Sequence, residues 1–508
     1  MSRHAWAGPS RLTLKHQHES NRMTSLIELQ LLFWIIFSFI INESTAQMSQ
    51  NMIIRNANVY TVEKQFISDI RIAEGRIVEI GKIIPKDDET AQEIDASGFL
   101  VLPGGIDPHV HLTLPESVPN GERWVDDFTT GSWAALAGGI TTVGNISFPE
   151  MGETPVETLE RESRIVAKQA IVDFILHPVI MQPSKAVLEQ IPVIASKGHS
   201  SIKIFMVTKT FDNHYAEFLE IIRNAGKQGL ISMIHCEDES TISAATKMLL
   251  SEGKRALKFY AESRPVESEV LATARAIEMC NISGAPIYVV HLSSRKALEI
   301  CERAVKRNLS VYVETRPMYL HFTKDRFLEP DGPLFVGQPP LRESEDVAYI
   351  WQGLARGSVN TIGTDHAPWT REQKLHPSHT ITNLRPGVNN LQVMLPLLYS
   401  EGVVKGKISI AQFVSLTATN SAKIFGLYPR KGTIAVGSDA DLVLWDPNLT
   451  RIIHSDQMFS RAGFSVYEGM KVTGWPVITI RRGEVVYQDV KITAQPGSGQ
   501  LIKRSKTP

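Results

Sequence analysis

Eight short apolar segments alternate with helix-length amphipathic stretches through the middle of the chain, and this alternation limits the fold more than any other feature. The segments are 100–111, 141–145, 173–179, 202–206, 231–235, 287–291, 311–314 and 361–365. A strand, a helix and a second strand in succession are typical of parallel βα units. Eight such units predict an α/β fold, a closed (β/α)8 TIM-like barrel over residues 101–430, with its site at the carboxyl ends of the strands.

Strand-rich sequence flanks the predicted barrel on both sides. From Met52 onward, alternating apolar runs are interrupted at 56–58 and 74–76, a pattern typical of hairpins. Similar runs occupy 432–446 and 475–487. Neither end has enough strands to enclose a core alone. We therefore expect the two ends, residues 52–100 and 431–490, to form one composite β-sandwich domain, followed by a C-terminal tail over 491–508.

Composition narrows the class of partner and the compartment. The formal net charge is -1 over 508 residues, so no excess of positive charge is present to neutralise phosphates. We expect a small-molecule substrate and no nucleic-acid partner. The three cysteines, Cys236, Cys280 and Cys301, are an odd number without the spacing of a metal site. They fit a reducing compartment and predict a cytoplasmic protein.

The sequence before Met52 has features of an exported protein, in contrast to the cysteines. An uncharged apolar run over 31–41 follows several basic residues and precedes small residues at 44–46, which is the order of a secretory signal peptide. The run is short for a membrane span. Three alternatives stay open: a spurious extension upstream of a later start such as Met48, a cleaved export signal, or a membrane anchor. On each of them, residues 1–51 lie outside the folded domain, which itself needs no membrane.

Four of the eight segments end in a residue that binds metal ions. The first ends in His-Val-His at 109–111, whose imidazoles point to the same face of a strand because they lie two positions apart. Segments five, six and eight end in His235, His291 and Asp365. A single histidine is more often a core or loop residue than a ligand. Repeated at the strand ends of one barrel, these residues predict a shared metal site.

Lys203 interrupts a segment that should carry only apolar residues, Ser-Ser-Ile-Lys-Ile-Phe-Met. An unpaired ammonium inside a barrel costs on the order of several kcal/mol. Either a buried ion pair neutralises it, or burial lowers the pKa of the amine until it takes up carbon dioxide. The resulting carbamate is a carboxylate long enough to bridge two metal ions.

Taken together, these residues make the sequence resemble the amidohydrolase superfamily, and within it the dihydropyrimidinase and hydantoinase branch. The resemblance covers about Met52 to Arg504 and rests on the order and spacing of several motifs. These are the segments 105–111 (GIDPHVH), 204–206 (IFM), 289–291 (VVH), 339–342 (PPLR), 363–368 (GTDHAP), 432–441 (GTIAVGSDAD) and 497–500 (GSGQ).

The resemblance implies a metal-dependent hydrolase that opens a cyclic amide, a dihydropyrimidine or hydantoin, to an N-carbamoyl amino acid. It implies two divalent ions, usually Zn²⁺. One would be bound by His109, His111, Asp365 and carboxylated Lys203 (N6-carboxylysine), and the other by His235, His291 and the same carbamate. A hydroxide bridging the metals would attack the ring carbonyl, and Asp365 would pass its proton to the departing nitrogen. The resemblance also implies a homotetramer.

Three positions depart from the pattern of the branch, all of them in the expected substrate shell. Thr208 stands where a tyrosine usually donates a hydrogen bond to the oxyanion, a contact whose loss typically lowers turnover about 100- to 1000-fold. Arg316 stands where a small residue is usual, and in Pro386-Gly387 the proline replaces an asparagine that contacts the ring. We therefore expect retained metal chemistry and an altered substrate.

The two larger departures each have two interpretations. Thr208 is a plain loop residue or a weak substitute for the tyrosine. Arg316 is an exposed ion-pair residue or an anchor at the mouth of the barrel, where a guanidinium would select cyclic ureides that carry a carboxylate.

Two other functions stay open. The first is a different cyclic-amide hydrolase, allantoinase-like or dihydroorotase-like. Dihydroorotases usually carry an arginine two residues after the second histidine of 109–111, and Thr113 occupies that position here. The second is a non-catalytic scaffold like the collapsin response mediator proteins, which share the fold but have lost metal ligands. Because this chain keeps every ligand, the sequence favours an enzyme.

Overall fold

The computed structural model describes residues 51–113 and 122–507, so the expectations for residues 1–50 lie outside the described range. The strands are β1 (Met52–Tyr60), β2 (Gln65–Ala73), β3 (Arg76–Gly81), β4 (Gln92–Asp95), β5 (Leu100–Pro103), β6 (Gly105–Val110), β7 (Ile140–Ser147), β8 (Asp173–Pro178), β9 (Ser201–Phe205), β10 (Ile231–His235), β11 (Ile287–Val289), β12 (Val311–Thr315), β13 (Thr361–Ile362), β14 (Leu442–Ile452), β15 (Lys471–Arg481), β16 (Glu484–Gln488) and β17 (Lys491–Ile492).

The α-helices follow the barrel strands. They are α1 (Phe128–Ala137), α2 (Pro155–Gln169), α3 (Lys185–Ser196), α4 (Lys209–Asn213), α5 (Tyr215–Lys227), α6 (Glu239–Ser251), α7 (Tyr260–Ser263), α8 (Val266–Ser283), α9 (Arg295–Lys306), α10 (Ser344–Arg356), α11 (Arg371–Lys374), α12 (Met394–Leu398), α13 (Ile410–Val414) and α14 (Asn420–Ile424). Short 3₁₀ turns are Leu257–Phe259, Pro317–Leu320, Lys324–Leu328, Gly332–Phe335, Leu391–Val393 and Ser455–Gln457, and π-helical turns are Tyr399–Val404 and Ser415–Thr419. Among these described helices, none has both the length and the apolar character that a membrane crossing needs.

Strands β6 to β13 form a closed barrel. They make two parallel sheets, β6-β7-β8 and β9-β10-β11-β12-β13. A parallel bridge between Val179 and Lys203 joins the sheets at one seam, and a bridge between Val110 and His366 joins them at the other. Every residue of β7 and β8 is buried, as expected of parallel strands covered by helices. The predicted (β/α)8 barrel is confirmed.

Local sequence explains where the covering helices begin and which side they bury. Helix α9 begins after Ser294, whose hydroxyl accepts a hydrogen bond from the Ala297 amide, an N-cap that satisfies one of the free amides of the first turn. Its buried residues recur at helical spacing and are Ala297, Leu298, Cys301 and Ala304. This apolar stripe packs the helix on the barrel, and each such helix returns the chain so that the next strand runs parallel to the last.

The two ends of the chain form one mixed sheet. Its strand order is β17-β16-β15-β14-β5-β1-β2-β3, with β4 beside β1. Strand β14 pairs antiparallel with β5, and β5 pairs parallel with β1. Ile54 and Val59 from one end share an apolar cluster with Leu442 and Ile480 from the other. The composite β-domain is therefore assembled from both ends, as the sequence predicts.

Two sequence expectations were wrong in detail. Segment 100–111 is not one strand: β5 belongs to the mixed sheet and β6 to the barrel. The chain passes between them at Gly104, where a Cβ would lie 2.3 Å from Thr141 Oγ1, so only glycine fits. The interruption at 56–58 is a bulge within β1 rather than a turn, with Asn56 at φ 53°.

The C-terminal segment is not a free tail: β17 joins the mixed sheet, and residues 497–507 pack against the barrel. The Phe174 amide donates to the Gln500 carbonyl oxygen at 2.9 Å, beside β8. Arg504 is buried and donates to the Leu176 carbonyl oxygen at 2.9 Å and to Ser201 Oγ at 2.8 Å. Ser201 is the first residue of β9 and Phe174 is the second residue of β8. The C-terminal segment therefore covers the barrel at the side opposite the carboxyl ends of the strands.

Candidate metal centre

The six residues predicted as ligands lie inside the barrel, near the carboxyl ends of its strands. His109 lies in β6 and His111 follows it, Lys203 is in the middle of β9, and His235 ends β10. His291 and Asp365 follow β11 and β13 and have positive φ angles, 37° and 48°. Non-glycine residues rarely adopt this conformation, and it is concentrated at functional sites.

Three of these side chains converge on one point. Asp365 Oδ1 lies 2.8 Å from His111 Nε2 and 3.4 Å from His109 Nε2. The three ligand atoms all lie within 4.8 Å of one another. Two imidazole nitrogens and a carboxylate oxygen in this arrangement are a donor set that divalent transition metals bind.

The remaining two histidines form a second pair beside the first group. His235 Nδ1 lies 2.9 Å from His291 Nε2, and the rings of His109 and His291 are stacked with centroids 5.5 Å apart. The two groups of imidazole nitrogens are therefore adjacent. The sequence alone does not show this, because the two groups lie on different strands of the barrel.

Two carboxylates that the sequence analysis missed orient these histidines from behind. Glu314 Oε1 lies 2.8 Å from His109 Nδ1, and Glu237 Oε2 lies 2.8 Å from His235 Nε2. Arg264 in turn holds Glu237 through two hydrogen bonds. A carboxylate on one ring nitrogen fixes the ring and leaves the other nitrogen free to bind a metal. Glu314 carried the same sequence signal as the ligands, a polar residue after an apolar run.

Lys203 is fully buried, and its Nζ has no hydrogen-bond partner and no ion pair within residues 51–113 and 122–507. The ion-pair interpretation of this lysine is therefore not what the structure shows. Burial lowers the pKa of Lys203 to about 8. A substantial fraction of the amine is neutral near physiological pH, and the neutral form is the one that can react with carbon dioxide.

Arg316 is buried behind Asp365, so the interpretation as an exposed ion-pair residue is wrong, and Arg316 is not part of the cavity wall that the described residues form. The side chain is 0% exposed, and Nη1 lies 2.9 Å from Asp365 Oδ2. Its Nε donates to the Thr364 carbonyl oxygen at 3.2 Å. Burial alone would raise the pKa of the Asp365 carboxyl, but Arg316 and the histidines of the first group hold that pKa well below its ordinary value. Asp365 is therefore a carboxylate with one oxygen towards the histidines and the other towards Arg316.

Thr208 serves as a helix cap. Its hydroxyl accepts a hydrogen bond from the Phe211 amide at 3.2 Å at the start of α4. It is not part of the cavity wall that the described residues form. This placement fits the loop-residue interpretation, because a hydroxyl engaged in capping is not directed at a substrate.

A small cavity of about 180 Å³ opens at the histidine groups. Its described wall comprises the ligand candidates His109, His111, His235, His291 and Asp365, together with Trp124, Phe148, Phe205, Val207, Gln338, Ala367, Pro386 and Gly387. Pro386 and Gly387, expected as substrate contacts, do line it. The aromatic residues were missed, because aromatic side chains near strand ends look like ordinary core in a sequence. Trp124 packs on His111 with ring centroids 4.7 Å apart.

Comparison with known proteins agrees with this geometry. Residues 100–486 match the family model described as Amidohydrolase family. A D-hydantoinase of Geobacillus stearothermophilus is 36% identical over 459 residues, which are 89% of this chain and 96% of that protein. A D-phenylhydantoinase of Escherichia coli O1:K1 is 34% identical over 459 residues, 89% of this chain and 98% of that one. The crystal structure of dihydropyrimidinase from Brevibacillus agri NCHU1002 superposes with a TM-score of 0.86 at 33% identity, covering 90% of this chain and all 100% of that one.

Proposed function

The chain belongs to the amidohydrolase family, in its hydantoinase and dihydropyrimidinase branch, and on that premise we propose that it hydrolyses the ring amide of hydantoins and dihydropyrimidines. The products are N-carbamoyl amino acids. The observation that carries this function is the meeting of two histidine groups and Asp365 at one cavity, with the fully buried Lys203 on β9, the strand that pairs with the one ending in His235. A scaffold that had lost its activity would have no reason to keep this arrangement.

We propose two divalent ions at this site, with Zn²⁺ as the expected metal. His109, His111 and Asp365 would hold one ion, and His235 with His291 the other. Carboxylated Lys203 would bridge them, and the support for this is its buried, unpartnered Nζ on β9, which pairs with β10, the strand that ends in His235. When bound, such ions polarise the ring carbonyl and lower the pKa of the attacking water towards neutrality.

Among the side chains of the protein, Asp365 is the one that transfers the proton. Its low pKa keeps it ionised, so that it can accept the proton of the attacking water and pass it to the departing ring nitrogen. The pairing of Oδ2 with Arg316 holds the carboxylate in one orientation. Glu314 and Glu237 keep the His109 and His235 rings from rotating.

The wall of the cavity indicates an uncharged ring substituent. Trp124, Phe148 and Phe205 present aromatic surface, and no lysine or arginine lines the cavity within the described residues. Arg316, considered as an anchor for acidic ureides, forms an ion pair with Asp365 and is not part of the described wall. Gln338 is the remaining polar side chain of the described wall, and its amide can pair with both the N–H and the C=O of a cyclic ureide. We therefore favour neutral hydantoins over carboxylate-bearing ones.

A hydrolysis screen tests this function. The metal-loaded protein should open hydantoin, 5-phenylhydantoin and dihydrouracil, measured by appearance of the N-carbamoyl product, and should act poorly on dihydroorotate and on hydantoin-5-acetic acid. Asp365→Asn, with equal metal content, is the matched control. Preference for the two carboxylated rings would restore the acidic-substrate alternative, and absence of turnover with all five at full metal loading would overturn the proposal.

We also propose a cytoplasmic homotetramer, as the resemblance of the sequence implies. The three cysteines are free and buried, which fits a reducing compartment. Sedimentation of the purified protein tests the assembly, with a single species at four times the chain mass as the expected result.

A further inference from the structure

Lys374 ends the short helix α11 and is completely enclosed, with 1% of its surface exposed. Its Nζ lies 3.0 Å from the Val336 carbonyl oxygen, 3.0 Å from that of Arg385 and 2.5 Å from that of Gly387. The three carbonyl oxygens equal in number the N–H donors of a lysine ammonium. Within the described residues no carboxylate pairs with it, which is unusual for a buried lysine.

The three carbonyls belong to two segments that are separate in the sequence and adjacent at the cavity. Segment 336–338 contributes Gln338 to the wall, and segment 385–387 contributes Pro386 and Gly387. One backbone hydrogen bond joins them directly, from the Gly387 amide to the Val336 carbonyl oxygen at 2.9 Å. Lys374 adds a donor to both segments at the same point and so links them.

Other buried donors hold the rest of the first segment. Tyr260 Oη donates to the Gly337 carbonyl oxygen at 3.0 Å, and Tyr319 Oη donates to that of Pro339 at 2.6 Å. The backbone on both sides of Gln338 is therefore fixed by side chains that do not reach the cavity themselves. Lys374 is the member of this set that also reaches the second segment.

The second segment packs without spare room. Gly387 has a φ of 120°, and a Cβ at this position would lie 2.3 Å from the Ala367 carbonyl oxygen. Trp369 Nε1 donates to the Pro386 carbonyl oxygen at 2.8 Å. A small displacement of this segment would therefore change the shape of the cavity wall directly, because Ala367, Pro386 and Gly387 all belong to it.

We propose that Lys374 is a positioning residue for substrate binding. Its three hydrogen bonds set the spacing between segments 336–338 and 385–387, and so the width of the cavity between Gln338 and Gly387. Lys374 touches neither the reacting atoms nor the ligand candidates. The identity of the bound ring rests on the proposed function, whereas the link between the two segments does not.

Both test variants have a side chain one atom shorter than lysine. Lys374→Met removes all three donors, whereas Lys374→Gln keeps two N–H donors and is the milder change. For 5-phenylhydantoin, we expect KM to rise about 10-fold or more while kcat changes less than about 3-fold. This pattern is expected when a variant weakens the binding of the substrate and of the transition state equally. The Kd of the product N-carbamoylphenylglycine should rise in parallel. The amount of metal bound per chain should not change.

A matched control separates positioning from general loss of stability. Val166→Ala leaves a small cavity under α2, away from this wall, and should lower the melting temperature without changing KM. Amide hydrogen exchange gives a readout that needs no turnover: the Gly387 amide should exchange faster in Lys374→Gln than in the wild type and Val166→Ala.

The proposal is overturned if a folded Lys374 variant has the wild-type KM, product Kd and Gly387 exchange rate, or if Val166→Ala raises KM as much. If the wild type opens no hydantoin, the proposed function fails by itself. The exchange measurement then still decides whether Lys374 holds the two segments together.

Discussion

Replacement of Arg316 distinguishes a buried ion pair from a surface one. Arg316→Met retains most of the apolar volume and removes the guanidinium whose Nη1 lies 2.9 Å from Asp365 Oδ2. Arg316 is fully buried and the Asp365 side chain is only 13% exposed, so the remaining carboxylate would have no compensating charge from that side. Breaking such a pair by removing one partner typically destabilises a protein by about 3–5 kcal/mol, whereas an exposed pair contributes about 0–1 kcal/mol.

The loss of stability in Arg316→Met should depend on whether metal is bound. In metal-free protein, Arg316 is the cation that pairs with Asp365 Oδ2 among the described residues, so the full loss is expected. With divalent ions bound, the ions supply positive charge beside the same carboxylate, and the loss should be smaller. Arg316→Met should therefore also bind Zn²⁺ more tightly than the wild type, since stability and binding are linked.

Denaturant unfolding with a chelator and with Zn²⁺ measures both effects. Arg307→Met, which removes an exposed ion pair with Glu278, is the control and should change little. The double variant Arg316→Met/Asp365→Asn should recover much of the stability, because it removes the unpaired charge. A loss below about 1 kcal/mol in metal-free Arg316→Met, equal to that of the control, would refute the reasoning.

Three further predictions concern the metal centre. Lys203→Ala should lose bound metal and activity together, with partial recovery on addition of short carboxylic acids; full metal content in this variant, by elemental analysis, would contradict a bridging carbamate. Asp365→Asn should keep the fold by circular dichroism and lower kcat by several orders of magnitude, because an amide cannot accept the proton; near-normal kcat would remove Asp365 from this role. Glu237→Gln should weaken metal binding about 10- to 100-fold, since it removes the carboxylate that orients His235, and an unchanged affinity in a metal titration would show that Arg264 and Glu237 serve stability alone.

The candidate metal ligands can be recognised in the sequence because they depend on local signals. An apolar run predicts a strand, the residue after the run lies at the end of that strand, and parallel strands place such ends on one rim. His109, His235 and Asp365 were found in this way although no two of them are neighbours. Lys203 was found by the same reasoning, since a charge inside an apolar run requires an explanation whatever the fold.

The surroundings of those ligands were decided by tertiary structure. Glu314 contacts His109 across 205 positions of sequence, and Lys374 joins segments that lie 38 and 13 residues from it. Arg316 was expected at the mouth of the barrel and is buried against Asp365, because the covering segment 336–338 comes from a later part of the chain. Periodicity tells which face of a strand a side chain occupies. The partner it meets there, and whether water reaches it, depend on how distant segments pack over that face.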